Sequence, residues 1–212
     1  MLEVRSRAGL ARVATWTIGE IAVATPTILF VATPRHPVPP FAELVLRETP
    51  IAGGPPSIID GGSIFRPRPV EGPLVIPPDA VKPMSLPDLE RPPSPSGPFV
   101  VATTAKDAAA HPEAEVVAMG DAIAYLRHPK AFAAATAEFR RAMGYARLLY
   151  VPGLATPGNL PILAYCGVDL VDSTRIAFES TLGRFHTSDG AWAATEVDPN
   201  ACGCGACLAA AT

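Results

Sequence analysis

The spacing of hydrophobic positions changes along this chain, and each change predicts a different kind of structure. The first 33 residues alternate well enough to be strands, most clearly in ARVATWTIGEIAVATPTILFVATP. The Ile18-Gly19-Glu20 step separates two such runs as a hairpin turn would. Thr27 to Ala32 is continuously aliphatic between Pro26 and Pro34, the pattern of a strand buried on both faces. From Pro34 to Pro98 the pattern dissolves. This stretch holds 18 of the 25 prolines, including RPRPVEGPLVIPPDAVKPMSLPDLERPPSPSGP, and neither a regular helix nor a central strand tolerates that density. Its aliphatic islands, Leu44 to Leu46, Ile58-Ile59 and Leu74 to Ile76, predict an irregular excursion on the surface of the domain rather than a free linker.

From Phe99 the pattern becomes α/β. FVVATT and AEVVAMG read as strands, and Gly120 to Arg127 as a short helix that His128-Pro129 breaks. Pro129 then suits the first turn of a longer helix, where its missing N–H costs nothing. In that helix Phe132, Ala135, Phe139, Ala142 and Met143 recur on one stripe, with Glu138, Arg140 and Arg141 off it, and Gly144 is the natural stop. ARLLYVPG reads as the next strand, TPGNLPILAYCG as a Pro-rich helix entry and VDLVD as a further strand. Strand, helix and strand in succession predict parallel β/α units and favour a partial (β/α) barrel over an open sheet. TRIAFESTLGRFHTSDGAW, with Gly183-Arg184 and Ser188-Asp189-Gly190, reads as a β-hairpin projecting from that unit.

Composition narrows the function classes. Apolar residues make up 49% and charged residues 17% of the 212, which describes a folded chain. The net charge of -3 excludes a global basic field for nucleic acid, so any RNA contact must be a local patch. No secretion signal opens the chain, and the apolar run from Ile21 to Ala32 is far shorter than the roughly 20 residues of a membrane span. These features predict a cytoplasmic protein without membrane contact.

Two motifs carry candidate chemistry. Asp172 ends the strand GVDLVDS, where β/α architectures present side chains to the ligand crevice, so it is a candidate nucleophile or base. The position equally suits a helix cap by Asp172 or Ser173. Asp169, three residues earlier, falls on the opposite face of a straight strand. Near the C-terminal end of the sequence, Cys202, Cys204 and Cys207 form C-x-C-x-x-C, compact enough for three thiolates to converge on one Zn²⁺. Within the chain only His186 and Cys166 are plausible fourth donors, and His186 is a weak candidate.

Together these stretches resemble the tRNA-guanine transglycosylases and their archaeosine-forming relatives. GLARVATWTIGEIAVATPTILFVATP resembles the family's N-terminal hairpin and first barrel strand. GVDLVDSTRIAFESTLGRFHTSDG resembles its glycine-aliphatic-aspartate-aliphatic-x-aspartate block with the following Gly-Arg hairpin, and C-x-C-x-x-C resembles its zinc motif. The resemblance implies a (β/α)8 TIM-type barrel, here incomplete or shortened, with an N-terminal hairpin and a partial zinc-binding motif. The implied organisation is the hairpin and first barrel strand over 1–33, the proline-rich excursion over 34–98, barrel units and a hairpin over 99–190, and the zinc motif over 191–212.

The resemblance further implies that Asp172 matches the family's nucleophilic carboxylate, which attacks C1′ of a tRNA guanosine and holds the RNA covalently until a 7-deazaguanine replaces guanine. It also implies that the fourth zinc ligand is a histidine downstream of Thr212. The family's second carboxylate has no match, because Asp60-Gly61-Gly62-Ser63 has the wrong order. AEVVAMGDAIAYLRHPKAF and LLYVPGLATPGNLPILAYCGVDLVDSTR resemble the archaeosine synthases most, in which the transglycosylase-like half is an inherited scaffold. The implied role is therefore tRNA modification in archaeosine biosynthesis, with zinc and tRNA as ligands. A separately encoded C-terminal half with an RNA-binding domain and a homo- or hetero-oligomer are the implied partners. Two further readings follow from the same motifs: an active base-exchange transglycosylase using Asp172, and a non-catalytic tRNA-docking or dimerisation module. Arg66, Arg68, Arg91, Arg140 and Arg141 are candidate phosphate contacts.

Overall fold

The computed structural model describes residues 1–47, 54–60, 75–76 and 98–198. The chain opens with an antiparallel three-stranded sheet in the order β1 (Leu2–Ala8), β2 (Ala11–Ile18), β3 (Ile21–Thr25). The turn expected at Gly19 joins β2 to β3 through a two-residue loop, with Gly19 at φ 60°. A positive φ of this kind suits tight hairpin loops and costs glycine least. The strand character expected across residues 1–33 includes β1, whose charged residues Glu3, Arg5 and Arg7 suit its position at the edge of this small sheet; beyond Leu2, every one of its residues is exposed.

Eight parallel strands form the main sheet: β4 (Thr27–Val31), β5 (Leu44–Arg47), β6 (Ser57–Asp60), β7 (Val75–Ile76), β8 (Phe99–Ala102), β9 (Val116–Met119), β10 (Leu148–Val151) and β11 (Leu170–Asp172). Their order is β7-β6-β5-β4-β11-β10-β9-β8. The first of these strands in sequence therefore pairs with the last, Leu170 beside Thr27 and Asp172 beside Leu29. Strands β7 and β8 at the two ends bring Cα atoms within 8 Å of each other. An open sheet built by stepwise addition would leave β4 and β11 apart, so the pairing gives a curled sheet compatible with a partial TIM-type barrel.

The proline-rich excursion is not confined to the surface as its composition predicts. Its three aliphatic islands are β5, β6 and β7, and all four residues of β5 are buried. Prolines tolerate this arrangement because each island is only two to four residues long and the prolines lie outside the strands. A parallel strand buried on both faces then reads as a short aliphatic run.

Two apolar layers follow from strand alternation. Leu29, Leu44, Ile58, Val116, Leu148 and Leu170 share the inner cluster, and Trp16 of β2 packs into it with no exposure. The Trp16 indole N–H is satisfied by the Glu115 carboxylate at 2.8 Å. The outer cluster sets Val100, Val117, Leu149 and Val171 against helices α1 (Ala105–Ala109), α2 (Pro129–Met143) and α3 (Leu160–Tyr165). Helix α2 starts at Pro129 and stops at Gly144, as expected, and buries Phe132, Phe139 and Met143. The short helix expected before it is a 3₁₀ segment, Ala122–Arg127. Neither the five-residue α1 nor α4 (Thr174–Thr181) was anticipated. The first is too short to show a period, and α4 has no buried residue to create one.

Arg140 departs most from the helical pattern. It lies off the expected apolar stripe, yet it is fully buried and is no phosphate contact. Its guanidinium donates to Asp169 and to the Gly167 and Arg147 carbonyls. Arg12 of β2 meets the same carboxylate in two-pronged fashion, at 2.7 and 2.9 Å, and donates to the Tyr145 and Arg147 carbonyls. The Leu149 N–H adds a further bond to Asp169 at 2.7 Å. Burial pushes the Arg140 guanidinium below its ordinary value, and the Asp169 charge opposes that shift. Replacing Asp169 with Asn strands two buried cations, so Asp169→Asn is expected to lower stability by about 3–5 kcal/mol in urea unfolding. An exposed-surface change such as Arg141→Gln is expected to stay within about 0.5 kcal/mol.

Candidate functional site at the C-terminal end of the sheet

Asp172 closes β11 on the inner face, in step with Leu170, because side chains alternate along a strand. It is fully buried. Its Oδ2 accepts from the Tyr150 hydroxyl at 2.6 Å and the Gly153 N–H at 2.9 Å, and its Oδ1 accepts from the Thr174 N–H at 2.8 Å. Gly153 offers its N–H from a left-handed turn at φ 68° immediately after β10. The neighbouring Ser173 fastens β11 to β4, since its Oγ accepts from the Val31 N–H at 3.0 Å. Both readings of Asp172 left open by the sequence thus meet in one place: it faces the inside of the sheet, and it also binds the first N–H of α4. The Thr174 hydroxyl beside it is buried and has no partner among the described residues.

Sequence reasoning missed the donors to Asp172. The signal was present in LLYVPG, where Tyr150 sits one strand over on the same inward phase and Gly153 follows three residues after it. Asp169, placed on the other face as expected, is not a partner of Asp172 but the centre of the buried arginine cluster.

The hairpin expected after Gly183 is present as β12 (Arg184–His186) and β13 (Ala191–Ala193), with Phe185 opposite Trp192. Glu179 of α4 holds it. The carboxylate receives Arg175 Nε at 2.8 Å, Arg184 Nε at 3.5 Å and His186 Nε2 at 2.8 Å. Its pKa is held below the usual value mainly by the Arg175 hydrogen bond and also by His186, against the opposing effect of burial. At the hairpin tip, a Cβ on Gly158 would meet the Ser188 carbonyl oxygen at 2.7 Å, so only glycine lets the tip approach the loop after β10.

The other sequence candidates separate clearly. His186, the weak zinc candidate, has one ring nitrogen committed to Glu179 and a side chain only 4% exposed. Cys166 is buried, and burial pushes its thiol up, away from the thiolate form that binds metal. Cys202, Cys204, Cys207, Arg66, Arg68 and Arg91 lie outside the described residues. Arg141 is exposed on α2. Asp60 ends β6 with its backbone paired to Ile76. Among the described residues no group of three or more His, Cys, Asp or Glu side chains converges for a metal.

No protein-family model matches the chain. Among curated proteins it is similar to the archaeosine synthase of Haloferax volcanii, with 34% identity over 113 residues, 53% of this chain and 19% of that relative. The chain is related to archaeosine synthase-like proteins. The relation accords with the resemblance carried by the sequence motifs, and the matched stretch spans about a fifth of the relative's length. Among the described residues of this archaeosine synthase relative, no helix is long and apolar enough to cross a membrane.

Two outcomes follow from this geometry. Removing the Tyr150 hydroxyl takes one donor from a buried carboxylate, so Tyr150→Phe is expected to cost about 1.5–3 kcal/mol in denaturant unfolding. Glu179 has a folded value depressed below its ordinary 4.5, so its contribution is fully present above that pH and is lost as pH falls through the folded value. The Trp192 indole NMR signal is expected to report release of the hairpin in that acidic window, and Glu179→Gln is expected to remove this pH-dependent step.

Proposed function

We infer that this chain acts in tRNA modification, as the transglycosylase-like part of an archaeosine synthase-type enzyme built on a (β/α)8 scaffold. The observation that carries the reading is the 113-residue match to archaeosine synthase, supported by the β4–β11 pairing and by Asp172 at the strand end where such scaffolds bear ligands. In this reading the domain binds and orients tRNA, and base exchange is not its reaction. The state of Asp172 supports that choice. A carboxylate nucleophile needs a lone pair aimed at the reacting carbon, whereas Asp172 is buried and Oδ2 already accepts two hydrogen bonds. It ties the β10 turn and the start of α4 together and thereby shapes the mouth of the sheet.

Incorporation of labelled guanine into cognate tRNA tests this. The expected outcome is stable, salt-sensitive tRNA binding without label uptake, with a shallow salt dependence because the net charge of -3 leaves only local phosphate contacts. Label uptake that disappears in Asp172→Ala would establish the alternative, in which Asp172 attacks C1′ and forms the covalent intermediate. Binding that ignores salt concentration would remove tRNA as the partner.

The reading extends to zinc. Cys202, Cys204 and Cys207 supply three thiolates at a spacing suited to one Zn²⁺, which would hold the segment after the hairpin in place. Neither His186, engaged by Glu179, nor the buried Cys166 thiol suits the fourth position. The expected zinc content, read by mass spectrometry of the native protein, is lost in Cys204→Ser and unchanged in His186→Ala and Cys166→Ser. Loss in His186→Ala would make that histidine the fourth ligand.

A further inference from the structure

Several cations of this chain have a partner. Arg12 and Arg140 share Asp169, Arg175 and Arg184 meet Glu179, Arg5 lies 3.7 Å from Glu3, and the Arg7 guanidinium stacks on the Tyr145 ring at 3.9 Å. Among the described residues, the exposed Lys and Arg side chains with neither a carboxylate nor an aromatic ring in contact are Arg35, Lys106, Arg127, Lys130 and Arg141.

Topology sorts these five. Arg35 follows β4, Lys106 opens α1 directly after β8, and Arg127 and Lys130 follow β9. All four therefore stand at the end of the sheet that Asp172 occupies, the end where parallel β/α folds bind ligands. Helix α2 starts at this end, because it carries the chain back so that β10 can run parallel to β9. Arg141, in its last turn, lies at the opposite end. Lys106, Arg127 and Lys130 also share one side of the mouth, since β8 pairs with β9 and α1 packs beside α2. Along β9 the charge reverses: Glu113 and Glu115 precede the strand, and Arg127 and Lys130 follow it.

The placement opposes the local electrostatics of α2. The N-terminal end of a helix carries partial positive charge and is stabilised by acidic side chains. Helix α1 obeys this, with Asp107 in its first turn and the Thr104 hydroxyl accepting from the Asp107 N–H at 3.1 Å. In α2 the first turn has no acidic residue, and His128 at the cap makes no side-chain bond to the helix. Lys130 stands inside that turn and Arg127 just before it. A local rule broken with no compensating contact marks a position shaped by something other than folding. Negative charge brought here meets the side-chain cations and the helix end together. These cations come from separate elements and stand in solvent, which suits a run of phosphates rather than one enclosed anion.

We propose that Lys106, Arg127 and Lys130, with His128 between the last two, form the contact surface for the phosphate backbone of an RNA strand on the β8–β9 side of the mouth. The proposal rests on the tRNA reading above and adds the side from which the RNA reaches the sheet. Its test is fluorescence-anisotropy binding of cognate tRNA to the 212-residue protein across a salt series. The double variant Arg127→Gln with Lys130→Gln is expected to weaken binding about tenfold or more at low salt, and to reduce the slope of log affinity against log salt by about 2. Lys106→Gln alone is expected to reduce the slope by about 1. Far-UV circular dichroism is expected to stay unchanged in each. The charge-matched pair Arg5→Gln with Arg141→Gln, away from the mouth, is expected to keep the parent affinity and slope. Parent-like binding in the first double variant overturns the proposal while leaving the tRNA reading standing. So does equal weakening in the charge-matched pair, because net charge alone would then govern affinity. Displacement of the tRNA by polyglutamate at the same concentration of charge also overturns it, since the surface would then suit an acidic polypeptide. A parent protein that binds no tRNA at any salt concentration overturns the functional reading itself, and this surface with it.

Discussion

The Asp169 carboxylate, shared by the guanidinium groups of Arg12 and Arg140, is the constraint on which the other parts of this fold converge. Arg12 belongs to the N-terminal sheet, Arg140 to the last turn of α2, and Asp169 to the entry of β11. None of the three side chains is more than 1% exposed. The remaining guanidinium N–H groups find the carbonyls of Gly144, Tyr145, Arg147 and Gly167, which fixes the chain on either side of β10. Such a cluster does not outperform apolar packing of equal volume, since desolvation offsets much of the attraction. Its effect lies in what separation costs: moving Arg12, Arg140 or Asp169 away from the others leaves a buried charge unpaired. Gly167 belongs to the same device. Its φ of 87° and the Leu10 carbonyl, 2.7 Å from where a Cβ would sit, bring the first hairpin down onto the turn before β11.

Only three residues separate this cluster from Asp172, about 10 Å of extended strand. β11 therefore has a charged anchor at each end. Asp169 ties its entry to the N-terminal sheet and α2, and Asp172 ties its exit to β10 and α4. Between them Leu170 faces inward and Val171 outward, one into each apolar layer. A three-residue strand this short has little pairing of its own, and it holds its central place because both ends are fixed by buried carboxylates. The consequence for function is a rigid mouth. The turn after β10, the N-terminus of α4 and, through Ser173, the end of β4 all hang from one strand terminus.

The α4–hairpin unit has a different character. It is pinned through Glu179 and through the close approach at Gly158, but it keeps Phe178, Leu182 and Trp192 largely exposed. Its ionisable residues include Arg175 and Arg184 against Glu179, Asp189, Glu196 and Asp198, a balance that does not attract a polyanion.

What the sequence determined by itself is the set of elements whose physics is local. The turn at Gly19, the aliphatic run of β4, α2 from Pro129 to Gly144, the strands β8 to β11 and the hairpin after Gly183 each carry their own punctuation or period, and each stands where that pattern puts it. Asp172 was legible because a strand's end is a local feature and alternation assigns its face. Tertiary structure alone decided the rest. Leu44 to Arg47 looked like an apolar island among prolines, and only its neighbours on both sides make it a central strand. Arg140 looked like a surface cation, and only Asp169, 29 residues away, makes it a core residue. The pairing of β4 with β11 joins segments more than 140 residues apart, and no window of sequence contains it. Burial, charge pairing and sheet closure depend on which distant groups meet, and that is settled only when the chain is folded.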